Sequence, residues 1–256
     1  MKRLVFTSAG DNTKFETLWT STNETSSYDI FVVYYGDNDK IFSQYKSKVQ
    51  FIIKRKGSKF QNFHFLFQNY FQLISKYDYF FILDDDIIIS AADIHEMFDI
   101  AEEYNLSICG PSFSPESKLS FPETIHKSDI FLEYTNFVEV NVPLFSQTAL
   151  FNLMKVYDPV LIGWGIDLLY IWCNGCNKQS NYAIVHKVKC INPLDNKKPG
   201  GKRELELVNN WELREEIWLK YADEVNCSLR DVKIVSYGEI TEQEHTRTRN
   251  YSIKYC

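Results

Sequence analysis

The feature that most constrains this chain is an apolar run, Tyr79 to Leu83, that ends in three consecutive aspartates, Asp84, Asp85 and Asp86. Aromatic and β-branched residues over so short a run predict a buried strand. Three adjacent carboxylates repel one another and are costly to remove from water without a partner. A divalent cation is the usual partner, and carboxylate oxygens suit Mg²⁺ or Mn²⁺. The pattern therefore predicts a strand that delivers acidic side chains to a metal or phosphate site.

The spacing of the acids adds detail to this prediction. On a continuing strand, Asp84 and Asp86 share one face and Asp85 lies on the other. A metal held by one or two carboxylates commonly completes its coordination with substrate phosphates. The alternative interpretation is a polar junction between a strand and a helix, capped by Ser90 or Asp93. That alternative explains Asp93 well, but it does not explain three acids directly after an apolar run.

Bulk properties bound the function. The 256 residues, 45% of them hydrophobic and 16% aromatic, suffice for one large domain or two small ones. A net charge of −6 argues against a general nucleic-acid binder, which normally carries a basic stripe. No apolar stretch approaches the length of a membrane span, and the run at residues 4–6 is too short for a signal peptide. We therefore expect a cytoplasmic protein whose six cysteines are mostly free thiols.

Strand and helix patterns alternate along the chain. Strands are predicted at residues 3–7, 28–36, 49–53, 79–83, 106–111, 131–142 and 182–186, with a last strand or edge segment at 232–238. Helices are predicted at residues 60–76, 91–104, 147–157 (capped by Ser146), 168–173 and 204–225. Such alternation predicts an α/β protein with helices packed on a central sheet.

Two turns follow predicted strands at positions that suit a ligand. Small residues follow the first strand at Ser8–Asp11, and they allow a ligand to approach the backbone closely, although an ordinary loop has the same composition. The basic residues of the turn Lys54–Lys59 either face a diphosphate or form a solvated loop. The sequence alone does not choose between these interpretations.

The order of these segments resembles the nucleotide-sugar half of type-A (GT-A) glycosyltransferases, in which an Asp-x-Asp motif ends a strand. Two later segments, Phe137–Ser146 and Gly163–Asp167, are followed by Val185-His186. They resemble a family of predicted glycosyltransferases of plants, bacteria and large viruses, with Phe-Val-Glu…Pro-x-Phe-Ser, Gly-Trp-Gly-Leu-Asp and Val-His motifs. Ile166 stands where that family has Leu. The resemblance covers about residues 77–187 and extends more loosely back to residue 3.

The resemblance implies a fold and a division of the chain. The fold would be GT-A (Rossmann-like) α/β, with a mixed, mainly parallel central sheet flanked by helices. Residues 1–193 would form the catalytic domain, with a nucleotide-sugar half at 1–110 and an acceptor half at 111–193. Residues 194–256 would form a helical extension and a polar tail.

It also implies a function and the residues that perform it. The enzyme would transfer a sugar from a nucleoside-diphosphate sugar, with a UDP-sugar favoured, to a carbohydrate or glycoconjugate hydroxyl, with Mn²⁺ or Mg²⁺ as cofactor and inversion as the favoured outcome. The implied metal ligands are Asp84, Asp86 and His186. The implied donor contacts are Thr7, Ser8, Ala9, Gly10, Arg55, Lys59, Asp84 and Asp85. Glu139 and Trp164 would shape the acceptor or sugar pocket, and Asp167 would be the general base.

Two alternatives remain open at the level of sequence. A metal-dependent nucleotidyl or phosphoryl transferase would use the same acidic triplet without needing Trp164 or Asp167. A zinc-stapled binding module is suggested by the spacing of Cys173, Cys176, His186 and Cys190. Against the zinc site, Cys173 falls within an apolar helical run and His186 ends a strand.

Overall fold

One mixed sheet of nine strands organises the described part of the chain. The computed structural model describes residues 1–14, 19, 27–176, 178–197, 209–231 and 233–247. The strands are β1 (Arg3–Ala9), β2 (Asp29–Tyr34), β3 (Phe51–Lys54), β4 (Tyr79–Asp84), β5 (Ile108–Phe113), β6 (Ile130–Thr135), β7 (Leu144–Ser146), β8 (Tyr182–Cys190) and β9 (Ser236–Thr241). Their order across the sheet is β3-β2-β1-β4-β7-β5-β8-β6-β9.

Strand direction divides this sheet into two halves. The strands β3, β2, β1 and β4 are parallel. The short strand β7 is antiparallel to both of its neighbours, β4 and β5. Beyond it, β8 is parallel to β5, while β6 and β9 join in antiparallel fashion. The parallel half therefore brings the carboxyl ends of four strands to one edge.

Helices cover both faces of the sheet. They are α1 (Asp39–Lys46), α2 (Lys59–Asn69), α3 (Phe71–Ile74), α4 (Ala91–Glu103), α5 (Gln147–Val156), α6 (Ile166–Asn174) and α7 (Trp211–Glu224), with 3-10 turns at Pro122–Thr124 and Asp195–Lys197. The predicted cap of α5 is confirmed, since the Ser146 hydroxyl accepts from the Ala149 amide at 3.3 Å. The sequence did not predict α1, which Asn38 caps.

Two hydrophobic cores explain why the run before the aspartates is continuously apolar. Phe80 and Ile82 of β4 lie in the core beneath α2, α5, α6 and α7. Phe81 and Leu83 lie in the opposite core, beneath α1 and α4. A parallel strand buried on both faces needs apolar residues at every position, rather than at alternate ones. The predicted buried strand is thereby confirmed.

Residues 136–143 depart from the predicted strand at 131–142. The strand β6 ends at Thr135, and the chain then runs beside the end of β4, where the amides of Ile82 and Asp84 donate to the carbonyls of Pro143 (2.9 Å) and Asn141 (3.0 Å). Gly110 makes room for it, because a Cβ there would lie 3.1 Å from Val138. We call residues 136–143 the bridge segment.

The strand β5 also differs from its prediction, which ended it at Gly110-Pro111. It continues to Phe113, with a register shift against β8 between Pro111 and Ser112. A proline that cannot donate to the ladder is tolerated at such an irregularity.

The described part of the C-terminal region packs on the same sheet. The helix predicted over 204–225 begins at Trp211, and residues 198–208 lie outside the described residues. Trp218, Tyr221 and Ala222 of α7 join the core beneath α5 and α6. Further on, β9 extends beyond the predicted 232–238 segment. The division of the chain at residue 193 stays a prediction.

The segment predicted as a polar tail is ordered at its start. The His245 ring stacks on Phe131 at 3.7 Å between centroids, and its Nδ1 lies 2.7 Å from the Tyr104 hydroxyl. Residues 248–256 of this predicted tail lie outside the described residues. No helix among the described residues combines the length and apolar character needed to cross a membrane.

A glycine substitution tests how α7 is held against the body of the protein. Gly165 has a φ of +78°, and a Cβ on it would collide with the Trp218 indole. Positive φ and overpacking together predict that Gly165→Ala lowers the free energy of unfolding by roughly 2–5 kcal/mol, measured by urea titration. Gly175→Ala is the control, because its φ of +101° carries the same strain but its Cβ would meet only ordinary contacts. Equal losses of unfolding free energy in Gly165→Ala and Gly175→Ala would contradict close packing of α7 on the turn at Gly165.

Candidate functional site

The predicted site residues of the nucleotide-sugar half cluster at the carboxyl edge of the parallel strands. Ser8 of β1 pairs directly with Asp84 of β4. The Asp85 carboxylate accepts hydrogen bonds from the Gly10 amide at 2.9 Å and the Tyr35 hydroxyl at 3.3 Å. The first member of the triplet therefore lies beside β1, and the second ties together the loops after β1 and β2.

The turn after β1 is closely surrounded. Thr7 and Ala9 are buried, and the Ala9 carbonyl accepts from the Tyr35 amide at 2.9 Å. A Cβ on Gly10 would lie 2.8 Å from the Tyr35 ring, so a larger residue here would require that ring to shift. Tyr35, which sequence reasoning did not single out, thus shapes the turn predicted to hold the nucleoside.

Asn62 links the basic turn to the carboxyl end of β1. Its amide nitrogen donates to the Ser8 hydroxyl and the Gly57 carbonyl, each at 2.9 Å. Its side-chain oxygen accepts from Arg55, whose guanidinium lies 4.8 Å from the centre of the Phe65 ring. Sequence reasoning missed Asn62, and the available signal was a polar residue among the apolar positions of α2.

The three lysines of the basic turn have separate environments. Lys54 and Lys56 form exposed ion pairs with Asp39 and Asp37. Lys59 points inward instead: its ammonium lies 2.9 Å from Asp84 Oδ1. The solvated-loop interpretation therefore describes two of the lysines, and the third belongs to the site.

Lys59 also binds the bridge segment. Its ammonium donates to the carbonyls of Val140 at 2.7 Å and Asn141 at 3.0 Å. Burial lowers the pKa of Lys59, and the charges of the aspartates, Asp84 foremost, oppose that shift. One buried cation thus joins the end of β4 to the segment that leads toward the acceptor half.

The bridge segment carries a buried acid. Glu139 is 3% exposed, and its Oε1 accepts from the Ser120 hydroxyl at 3.0 Å and the Asn141 amide at 2.7 Å. The neighbouring Val138 carbonyl accepts from the Tyr170 hydroxyl of α6. The polar segment around Ser120 is therefore hydrogen-bonded to the bridge segment.

Asp167 lies in the first turn of α6. Its Oδ1 accepts from the Leu168 amide at 3.0 Å, and burial raises its pKa to about 7 in spite of the backbone hydrogen bonds it accepts. Burial raises the pKa of Tyr170, and the charges of Asp167 and Glu139 raise it further. The carboxylates of Asp167 and Glu139 therefore both lie near the Tyr170 phenol. Contacts run without a break from Asp84 through Lys59 and the bridge segment to Tyr170 of α6.

Trp164 lies on the turn before α6 and is 41% exposed. The centre of its ring is 6.4 Å from that of Trp211, the first residue of α7. Sequence reasoning did not include Trp211, because 47 positions separate it from Trp164 and no local pattern connects them.

His186 makes polar contacts with two neighbours within the described residues. Its Nδ1 accepts from the Lys127 amide at 3.2 Å, and its Nε2 lies 3.3 Å from Glu133 Oε2. Burial alone would raise the pKa of Glu133, but hydrogen bonds from His186 and Lys127 lower it to about 2. The structure therefore places the imidazole in a separate buried cluster with Glu133.

Metal-ligating groups of three or more His, Cys, Asp or Glu side chains are absent from the described ranges. His186 is thus not gathered with Asp84 and Asp86. Nor do Cys173, Cys176, His186 and Cys190 assemble, and Cys173, Cys176 and Cys190 are free thiols. The zinc-stapled alternative finds no support in this part of the chain. The oxygen donors of Asp84 and Asp86 by themselves suit Mg²⁺ or Mn²⁺, with substrate phosphates as further ligands.

Comparisons with known proteins place the chain in a family and a fold. The profile of a family described as "Protein of unknown function (DUF707)" matches residues 17–230. S. aureus TarS is similar in structure, with a TM-score of 0.54 at 11% identity, over 87% of this chain and 43% of TarS. TarS residues 1–349 in complex with UDP-GlcNAc give a TM-score of 0.57 at 13% identity, over 90% and 68%. No curated protein matches the chain.

These comparisons bear on the predicted fold. The chain spans less than half the length of the full TarS chain to which it is similar. The shared fold is mixed α/β around a large central sheet, which confirms the predicted fold class at that level.

Replacing Lys59 tests whether its ammonium holds the bridge segment. Lys59→Met removes the donor for two carbonyls and the partner of Asp84, and we expect the free energy of unfolding to fall by roughly 2–4 kcal/mol in urea titrations. Lys56→Met is the matched control, because its pair with Asp37 is exposed and should contribute about 0–1 kcal/mol. A loss in Lys59→Met no larger than that in the control would contradict the bridging role.

The raised pKa of Asp167 predicts a pH-dependent stability difference. Its pKa is about 7 in the fold against an ordinary 3.8, so the folded state holds the proton more tightly and stability falls as pH rises between these values. Asp167→Asn should match the parent near pH 4 and exceed it above pH 7 by roughly 3–5 kcal/mol at most, measured by unfolding across pH. Asp223→Asn, which removes an exposed carboxylate of α7, is the control for the loss of a carboxylate elsewhere in the protein. A stability difference between Asp167→Asn and the parent that does not change with pH would contradict the raised pKa of Asp167.

Proposed function

We propose that this chain, which belongs to the DUF707 family, transfers a sugar from a nucleoside-diphosphate sugar to an acceptor hydroxyl. The observation that carries the proposal is the unbroken set of contacts from Asp84 through Lys59 and the bridge segment to Tyr170 of α6, about one turn after Asp167. The fold shared with TarS, which has been solved with UDP-GlcNAc, supports a UDP-sugar as the donor. We assign the sheet to the GT-A class on its parallel half and on the acidic triplet at its edge.

The donor would bind along the carboxyl edge of β1 and β4. Ligands of open α/β sheets bind outside the carboxyl ends of the strands, where the loops diverge. Ser8 and Gly10 border this edge, and Asn62 and Arg55 hold the adjacent turn in position. In this proposal Asp85 keeps its predicted place near the donor sugar while it fastens the Gly10 amide.

A divalent metal fits the acids of this edge. Asp84 and Asp86 would hold Mg²⁺ or Mn²⁺, which would offset the negative charge that develops on the departing diphosphate. Lys59 neutralises Asp84 from the protein side, so the carboxylate does not face its acidic neighbours uncompensated. His186, engaged with Glu133 and Lys127, is left out of this proposed set.

Asp167 would act as the general base. It would take the proton of the acceptor hydroxyl as that oxygen bonds to the anomeric carbon and the bond from this carbon to the diphosphate breaks. A base titrating near 7 is suited to proton transfer at neutral pH. The single displacement inverts the configuration at the anomeric carbon. Glu139, which like Asp167 lies near the Tyr170 phenol, would help to order the polar groups around the reacting hydroxyl.

Donor binding and transfer are tested separately. Thermal unfolding would be recorded with UDP, UDP-GlcNAc, GDP, TDP and CMP, each with and without Mn²⁺, because a ligand bound only by the folded state raises its stability. We expect one nucleotide class to raise the melting temperature in a metal-dependent way. Asp86→Asn should remove most of the metal-dependent rise in melting temperature. Asp167→Asn should retain donor binding and slow sugar transfer roughly 10²- to 10⁴-fold, measured as product formed from a labelled donor.

The control for these variants is Asp223→Asn, which removes an exposed carboxylate of α7 paired with Arg230. It should bind donor and transfer sugar as the parent does. Transfer at the parental rate by a folded Asp167→Asn would rule out the proposed base. Release of pyrophosphate from a nucleotide, rather than of a nucleoside diphosphate, would instead support the nucleotidyl transferase alternative.

A further inference from the structure

Two indoles stand together on the surface near the proposed acceptor side. Trp164 and Trp211 are 41% and 50% exposed, with ring centres 6.4 Å apart and planes inclined at 48°. Exposed single hydrophobic side chains are common, but contiguous apolar patches commonly mark binding sites. Each indole offers a wide apolar face and one N–H donor.

The fold holds both rings in place. Trp164 lies between two glycines with positive φ, Gly163 at +81° and Gly165 at +78°, which form the turn into α6. Trp218 packs directly against Gly165. Trp211 lies seven residues before Trp218 on α7, two helical turns away and on the same face. One face of α7 thus places an indole beneath the turn and another beside Trp164.

The helix α7 is capped at its start and anchored to α5 near its end. At its start, the Asn210 side chain accepts from the Leu213 amide at 2.9 Å. In its last turns, the Tyr221 hydroxyl donates to the Val156 carbonyl at the end of α5. The indole pair is therefore carried by a fixed scaffold, as a binding surface for a rigid ligand requires.

The surroundings indicate the chemistry of the ligand. A pyranose ring has an apolar C–H face, which matches the exposed indole faces, and a rim of hydroxyl groups, which can accept a hydrogen bond from an indole N–H. The net charge of −6 and the exposed Glu212 next to Trp211 disfavour an anionic ligand such as a nucleic acid. In the sequence, Trp164 precedes the proposed base, Asp167, by three residues.

We propose that Trp164 and Trp211 form a stacking platform for the sugar ring of the acceptor, and that α7 is therefore part of the acceptor site. This inference rests on the proposed function, since it gives that reaction a neutral carbohydrate acceptor. It also assigns a binding role to a helix that lies outside the resemblance to glycosyltransferases.

Glycoside binding without any donor tests the platform. The full chain would be titrated with methyl β-glucoside, methyl β-galactoside, methyl β-N-acetylglucosaminide, cellobiose, lactose and chitobiose, and binding followed by saturation-transfer difference NMR. We expect the parent to bind at least one of them and Trp211→Ala to weaken its affinity roughly three- to tenfold, the range that loss of one aromatic contact predicts. Trp211→Phe should recover most of the affinity, and Trp164→Ala should behave like Trp211→Ala.

The matched control is Leu213→Ala, which removes another exposed apolar side chain from the first turn of α7. It should bind glycosides as the parent does. The platform is refuted if the parent binds none of these sugars, or if Trp211→Ala and Leu213→Ala bind them equally well.

Donor binding by the same variants separates this inference from the function on which it rests. Trp211→Ala should keep the parental thermal shift with the nucleotide and Mn²⁺. A parent that binds glycosides through Trp211 but shows no nucleotide shift would overturn the proposed function and leave the platform standing. A parent that shows the nucleotide-dependent shift, together with unchanged glycoside binding in Trp211→Ala, would support the proposed function and overturn the platform.

Discussion

The arrangement of the site depends on one buried cation. The Lys59 ammonium lies between the Asp84 carboxylate at the end of β4 and two carbonyls of the bridge segment. Taking an ammonium out of water is expensive unless charge and hydrogen bonds compensate for it, and these three acceptors supply both. The lysine therefore fixes the distance between the two halves of the proposed site. Without it, the bridge segment would keep its backbone hydrogen bonds to β4 but lose the charged contact to the Asp84 carboxylate.

Much of the sheet was predictable because its signals are local. The apolar run before Asp84 is buried on both faces, and α4 and α5 follow helical periodicity and begin at serine caps. The secondary-structure predictions were wrong where a local sequence pattern fits two different structures. Residues 131–142 alternate as a strand would, yet half of them form a buried irregular segment, which Gly110 of another strand accommodates. The short helix α1 has too few apolar positions to show a period.

The candidate site shows the same limit. The acids after β4 and the small residues after β1 could be predicted to meet, since parallel strands end at one edge of the sheet. The partners of His186 could not, because Glu133 lies 53 positions away and approaches only when β6 pairs with β8. Asn62 and Tyr35 escaped notice for a similar reason: their importance comes from contacts across elements. The chemical type of each side chain can be read from the sequence, whereas the partners that it contacts depend on how the strands and helices are arranged.

The antiparallel pairing of β6 with β9 has a consequence for how the chain reaches this structure. The two strands are separated by about a hundred positions, so β9 can complete this edge of the sheet only after a long stretch of chain has followed β6. Until then β6 presents an open row of backbone donors and acceptors beside the apolar side chains of Phe131 and Leu132. A nascent chain that stalls before residue 236 would expose the unpaired edge of β6. Whether that chain aggregates would depend on chaperones more than on the stability of the complete fold.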